Sequence, residues 1–373
     1  MMCRRPVSSL ERPRTPVADS PTRLEGGSPR PLLRVLFERG PATPRKVGLV
    51  CAFLGALALG VAFLALHLGS EPIPRAIVGR VLWAHLFGRV EELTAAEVII
   101  WRIRAPRVVL GLTAGAALAI AGALLQALLR NPLAEPYVLG ISGGAALGAI
   151  VAIVGWGDVP WARPLLAFVG AALTTALVYA MSRGRTGMAT ERLVLAGVII
   201  ATLLWSGIAL VLALVPNPHL RGLVFWMMGD LSGGGDGVLP LVVGIVVVAS
   251  AVAYTQARTL NLLMVGEEEA RVLGVEVERV KTLAYFVASL LAGVIVSVSG
   301  AIGFVGLVVP HLVRLLWGAD NRLVIPAAAL SGAILVTLAD TLARTALAPR
   351  ELPVGAVTAM LGVPIFIALL RRV

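Results

Sequence analysis

Apolar stretches about 20 residues long recur from Val47 to the C-terminus, with Gly and Pro inside them. A helix of that length spans the roughly 30 Å hydrocarbon layer of a bilayer, whereas a barrel strand needs only about 10 residues of alternating pattern. The chain is therefore expected to be an all-α integral membrane protein. The stretches fall at roughly 49–68, 107–128, 137–155, 164–182, 192–214, 238–257, 282–300, 304–317, 323–345 and 354–370, about ten transmembrane helices. Composition agrees: 14% of the residues are charged, against about 25% in soluble domains.

Charge placement bears on topology and partners. A net charge of +11 would suit a nucleic-acid partner, but ten of the 32 Lys and Arg residues precede Val47 and most others flank apolar runs. That is how topology signals are distributed, so no nucleic acid is expected. An even number of spans puts both termini on one side, and the positive-inside rule makes that side the cytoplasm. Residues 1–44 are rich in Pro, Arg, Ser and Gly without periodicity, and read as a disordered tail ahead of a transmembrane domain at 45–373. A signal peptide is the alternative, but the basic region is too long and Leu49–Leu68 lacks a small-residue cleavage site. A start codon assigned upstream of the true one is another. Cys3 and Cys51 form neither a CxxC pair nor a disulfide framework.

One segment breaks the apolar pattern, GEEEARVLGVEVERVK at Gly266–Lys281. Glu267, Glu268 and Glu269 suit the first turn of a helix, Arg271 suits its last turn, and Gly274 is placed to end it. Ala270 and Leu273 give this short helix an apolar edge. Barely two turns cannot stand alone in water, so it is either held by its flanks or a partner, or is a solvated loop.

Two further features concern contacts. Gly111 with Gly115, and Gly140, Gly144 and Gly148, have the spacing that lets helices approach closely. Between the first two spans, Arg75, Arg80, Arg89, Arg102, Arg104 and Arg107 crowd a loop that the topology places outside. They form either a docking surface or solvated charges paired with Glu91, Glu92 and Glu97. Asp340 and Arg344, four apart, can pair on one helix face. A short amphipathic helix is expected within Pro216–Gly237, with Phe225, Trp226 and Met227 at the interface.

Several chemistries are excluded. Lys281–Thr282 is preceded by Val280, and Val275 occupies the other glycine position of a phosphate loop, so the chain is not an ATPase. There is no HExxH zinc-protease motif. Ser142 in GISG, with His311, would suit a rhomboid-like intramembrane protease, but the pattern is four residues long in a chain with 40 glycines. A proton-coupled secondary transporter would want buried carboxylates beyond Asp340, and none lies in the other apolar segments.

The stretch WRIRAPRVVLGLTAGAALAIAGALLQALLRNPLAEPYVLGISGGAALG at Trp101–Gly148, with GEEEARVLGV, AIGFVGLVVPHLVR, LADTLAR and ELPVGAVTAMLGVPIF, closely resembles permease subunits of bacterial ABC importers for ferric siderophores, haem and vitamin B12. The resemblance covers about residues 50–371. It implies a type II ABC importer permease in the inner membrane, a homodimer with two cytoplasmic ATPase subunits and an external substrate-binding protein. It implies no cofactor in this chain, ATP and Mg being bound by the ATPase. The cargo implied is an iron chelate, with vitamin B12 as the alternative. Residues about 260–276 resemble the coupling helices that meet the ATPase, with Glu267, Glu268, Ala270, Arg271, Leu273 and Gly274 at the contact. Asn131, Leu133, Ala189 and Thr190 match the cytoplasmic gate, and Arg104, Arg107 and Arg344 match positions that meet the binding protein.

Overall fold

The computed structural model describes residues 42–87, 94–156, 159, 161–184, 187–214, 217–235 and 237–370. Almost all of the expected tail, and Arg89, Glu91 and Glu92, lie outside the described residues. The ten expected segments are all helical: α1 (Pro44–His67), α3 (Ala95–Leu128), α4 (Ile141–Trp156), α5 (Ala162–Ser182), α6 (Thr190–Leu214), α8 (Leu239–Thr255), α11 (Val277–Ser299), α12 (Val305–Trp317), α13 (Asn321–Thr345) and α14 (Val354–Leu370). Six of these are long and apolar enough to cross a membrane, and α8 does so together with α9 (Ala257–Val265) across a bend of 52°. The shorter α4, α12 and α14 are also apolar.

Shorter helices connect the spans. α2 (Arg75–Leu86) follows α1, and α7 (Asn217–Met227) lies within the segment expected to hold an amphipathic helix. α10 (Glu267–Val272) interrupts the spans where the charged segment predicted it. Within α3 the turn Val98–Arg104 is π-helical, started by a capping box in which Thr94 and Glu97 exchange hydrogen bonds. The only strands among the described residues form the two-residue hairpin β1 (Arg183–Gly184) and β2 (Gly187–Met188).

Burial sorts the spans into inner and outer helices. The most apolar stretches of α3 and α11 are 78% buried, whereas those of α1 and α6 are 28% and 22%. Large apolar side chains such as Leu59, Leu173, Leu203, Leu210 and Val248 point outward from the outer helices. Such a surface is incompatible with water and suits lipid.

Glycine sets how closely the inner helices meet. A Cβ on Gly115 would lie 2.0 Å from the Gly332 carbonyl oxygen, and one on Gly122 would lie 1.9 Å from that of Gly306. α3 thus touches α13 and α12 backbone to backbone, as small-residue spacing allows. Gly144 and Gly148 bring α4 against Gly170 and Leu166 of α5 in the same way. These contacts confirm the packing reading of both glycine series.

Gly115→Val would force α3 and α13 apart, and should destabilise the protein by roughly 1–3 kcal/mol. Thermal unfolding in detergent should show the loss. Gly155→Val, at a position with nothing within 4 Å, should leave the melting temperature unchanged.

Candidate functional site

At one end of the bundle α10 is a helix of six residues. Its three glutamates sit in the first turn, and Arg271 pairs with Glu267 at 3.5 Å and with Glu268. Gly274 adopts φ 81°, its N–H donates to the Arg271 carbonyl, and Val275 N–H donates to that of Ala270. This pair of bonds closes the helix as a glycine in the left-handed region does. Ala270 is fully buried against the bundle. On the other side Val272 is 86% exposed, Leu273 65% and Val265 73%. Three exposed apolar side chains, on α10 and at the adjoining end of α9, mark a contact surface.

The β1–β2 hairpin and the start of α6 lie beside α10. Gly187, Met188, Ala189 and Thr190 share a cleft of about 350 Å³ with Glu267, Arg271, Glu278 and Lys281. Ala189 and Thr190 are thereby brought together with the α10 residues Glu267 and Arg271. Asn131 and Leu133 stand on a separate exposed turn after α3, where the Asn131 side chain accepts a 2.9 Å hydrogen bond from Leu133 N–H. They do not line that cleft.

The same end is pinned by two polar joints. Lys46 is buried and its ammonium donates to the Trp317 carbonyl at 3.0 Å, tying α1 to α12. Asn261 of α9 donates to Asp320 at 2.7 Å and accepts from Asn321 N–H at 2.8 Å. Burial disfavours the Asp320 charge, but hydrogen bonds from Arg322 and Asn261 outweigh it and hold this carboxyl below its ordinary range. A depressed carboxyl contributes stability above its unfolded pKa, and that contribution is lost as pH falls through the folded value.

The opposite end gathers the arginines expected to dock a partner, and it places them inside the protein. Arg107 meets Asp340 at 2.9 Å and Glu351 at 2.9 Å, and Arg344 meets Asp340 at 3.6 Å. Arg104 donates to the carbonyls of Leu66 and His67 at the end of α1, and to that of Glu71. All three are buried, with Arg104 and Arg344 3% exposed. Arg104, at the end of the π-helical turn, is held by those carbonyls, and Asp340, itself buried, needs cationic partners. The expected Asp340–Arg344 pair is present, with Arg107 as a further member. Among the described residues, the exposed arginines of this end are Arg75, Arg80, Arg102 and Arg350.

A family model described as the FecCD transport family matches residues 57–372. This chain belongs to the FecCD transport family. Among its relatives, the cobalamin import system permease protein BtuC of Halobacterium salinarum is 40% identical, covering 89% of each chain. The hemin transport system permease protein HmuU of Yersinia pestis is 42% identical, over 73% of this chain and 83% of that one. A solved structure described as an inward-facing metal-chelate type ABC transporter matches with a TM-score of 0.75 at 28% identity, covering 88% of this chain and 100% of its own.

Against this FecCD framework the protease reading has no geometric support. Ser142 is buried on α4, and among the described residues no hydrogen bond joins it to His311, whose ring lies 6.1 Å from that of Phe366. No group of three or more His, Cys, Asp or Glu side chains among the described residues is placed to hold a metal ion.

Sequence reasoning missed two polar groups in the interior. Glu135, read as part of a loop, accepts a 2.8 Å hydrogen bond from Phe304 N–H, and Tyr137 both accepts from Ile302 N–H and donates to its carbonyl. They satisfy the backbone of the non-helical stretch between α11 and α12, which would otherwise be costly in an apolar interior. The glycines flanking that stretch were the available signal.

Asp340→Ala would leave the buried Arg107 and Arg344 without their shared counter-charge, at a cost of about 3–5 kcal/mol. The variant should accumulate poorly and unfold at lower temperature in detergent, whereas Arg102→Ala, at an exposed position, should melt as wild type does.

Proposed function

We propose that this chain is the membrane-spanning permease subunit of an ATP-binding-cassette importer, and that it carries a metal chelate inward. The family match over residues 57–372 carries this reading. Iron chelates are the cargo class we favour, in keeping with the hemin relative and the metal-chelate type structure. Cobalamin is the second reading, favoured by the cobalamin import relative, which covers 89% of this chain. Growth of a deletion strain on defined iron sources and on vitamin B12 separates the two.

In this reading the chain works as a homodimer in the cytoplasmic membrane, with the α10 end and both termini inside. Two ATPase subunits supply the energy, binding ATP and Mg themselves. Their seat is the edge formed by Val265, Val272 and Leu273, because a six-residue helix follows whatever holds it. Asn131, Leu133, Ala189 and Thr190, all at that end, form the cytoplasmic gate. An external binding protein delivers the chelate to the opposite end. Docking there falls to Arg75, Arg80, Arg102 and Arg350, since Arg104, Arg107 and Arg344 are committed to partners within the chain.

Leu273→Asp would place a charge in the ATPase contact, where burial without a partner costs several kcal/mol. The variant should insert normally, fail to co-purify with the ATPase and lose uptake in proteoliposomes. Retained co-purification with coupled hydrolysis would remove α10 from the interface. Reversal of Arg75 and Arg102 to Glu should weaken binding-protein association most at low salt, since surface charges act over about 10 Å at 0.1 M ionic strength. An affinity unchanged at low salt would locate docking elsewhere.

A further inference from the structure

Lys281 is one of only two lysines in the chain, and its side chain is 3% exposed at the head of α11. Its ammonium lies 3.3 Å from a Glu267 carboxylate oxygen of α10 and 3.1 Å from one of Glu278. The other oxygen of Glu278 accepts a 2.6 Å hydrogen bond from Met188 N–H in β2. One unbroken chain of polar contacts thus runs from α10 through Lys281 and Glu278 to the backbone of the segment that holds Ala189 and Thr190.

The fit on the hairpin side is tight. Gly187 has φ 118°, and a Cβ there would lie 2.1 Å from a Glu278 carboxylate oxygen. Only a residue without a side chain lets this backbone rest on the carboxylate. Glu278 has two oxygens and uses one for each neighbour, so it cannot follow Lys281 without drawing on Met188. Lys281 likewise holds Glu267 and Glu278 together, because a buried ammonium separated from either carboxylate would lose compensation for its desolvation.

We propose that Lys281 and Glu278 are positioning residues that transmit displacement of α10 to the Gly187–Thr190 segment. The inference rests on the importer reading above and deepens it: ATPase subunits move α10, and this link carries the motion to the gate. Lys281 needs no contact with ATPase or cargo. Its length and charge join Glu267 of α10 to Glu278, whose other oxygen holds the hairpin backbone.

The experiment uses the full chain co-purified with its ATPase and follows amide hydrogen exchange in the peptide covering 183–190, with and without a non-hydrolysable ATP analogue. Wild type should co-purify and change its exchange on nucleotide binding. Failure of wild type to co-purify would sink the importer reading itself. In Lys281→Met, which removes the charge and keeps much of the length, co-purification should persist while most of the nucleotide response at 183–190 is lost. Lys281→Arg should restore most of it. If Lys281→Met does not accumulate, Glu278→Gln answers the same question: it keeps a carbonyl oxygen for Met188 N–H, removes the charge facing Lys281, and should also reduce the response. A full nucleotide response in either variant would overturn the proposal. Loss of co-purification in Lys281→Met alone would assign Lys281 to assembly and equally overturn it.

Discussion

The inner helices meet backbone on backbone: α3 against α13 at Gly115 and Gly332, and against α12 at Gly122 and Gly306. Within lipid there is little hydrophobic gain from bringing one apolar helix to another, so dispersion contact must hold the bundle. Contact of that kind falls away over fractions of an ångström. Glycine therefore matters here through the side chain it lacks, and α3 can be central only because these positions stay bare. The lipid-facing α1 carries no comparable demand: its Gly48, Gly55 and Gly60 meet nothing within 4 Å.

A tightly packed centre leaves polar groups at the two ends, and the ends differ. Around Asp340 the arginines are buried and closed on partners within the chain, which braces α1, α3 and α13 against one another. Around α10 the charges are shared with an open cleft, and the apolar edge of Val272 and Leu273 is left uncovered by the described residues. One end resembles a clamp and the other a handle. A short helix tied to its neighbours by the Glu267–Lys281 ion pair and one buried alanine has few contacts of its own, which suits an element that must move with a partner.

Much of this was legible from local rules. All ten helical segments follow from their apolar runs, the end of α10 follows from one glycine, and the close packing follows from glycine spacing. What escaped depended on partners distant in sequence. Arg107 and Asp340 are separated by 233 positions, so only Arg344, on the same helix, could be paired with Asp340 from sequence. The burial of Arg104, at the end of a π-helical turn, is announced by no composition rule. Lys281 entered the sequence reading as part of an unmatched phosphate loop, although its spacing from Glu278 on a helix face was visible. That Glu278 also holds Met188 required the fold.

The central claim is that α10 and the segment carrying Ala189 move as one body when nucleotide binds. Spin labels at the exposed positions 268 and 189, with Cys3 and Cys51 replaced, would test it by pulsed electron resonance in the ATPase complex. In the proposed homodimer, a distance from 189 to its counterpart that changes with nucleotide, while the distance from 268 to 189 within one subunit holds constant, is the predicted result. A 268-to-189 distance that shifts with nucleotide while the gate positions stay still would contradict the account.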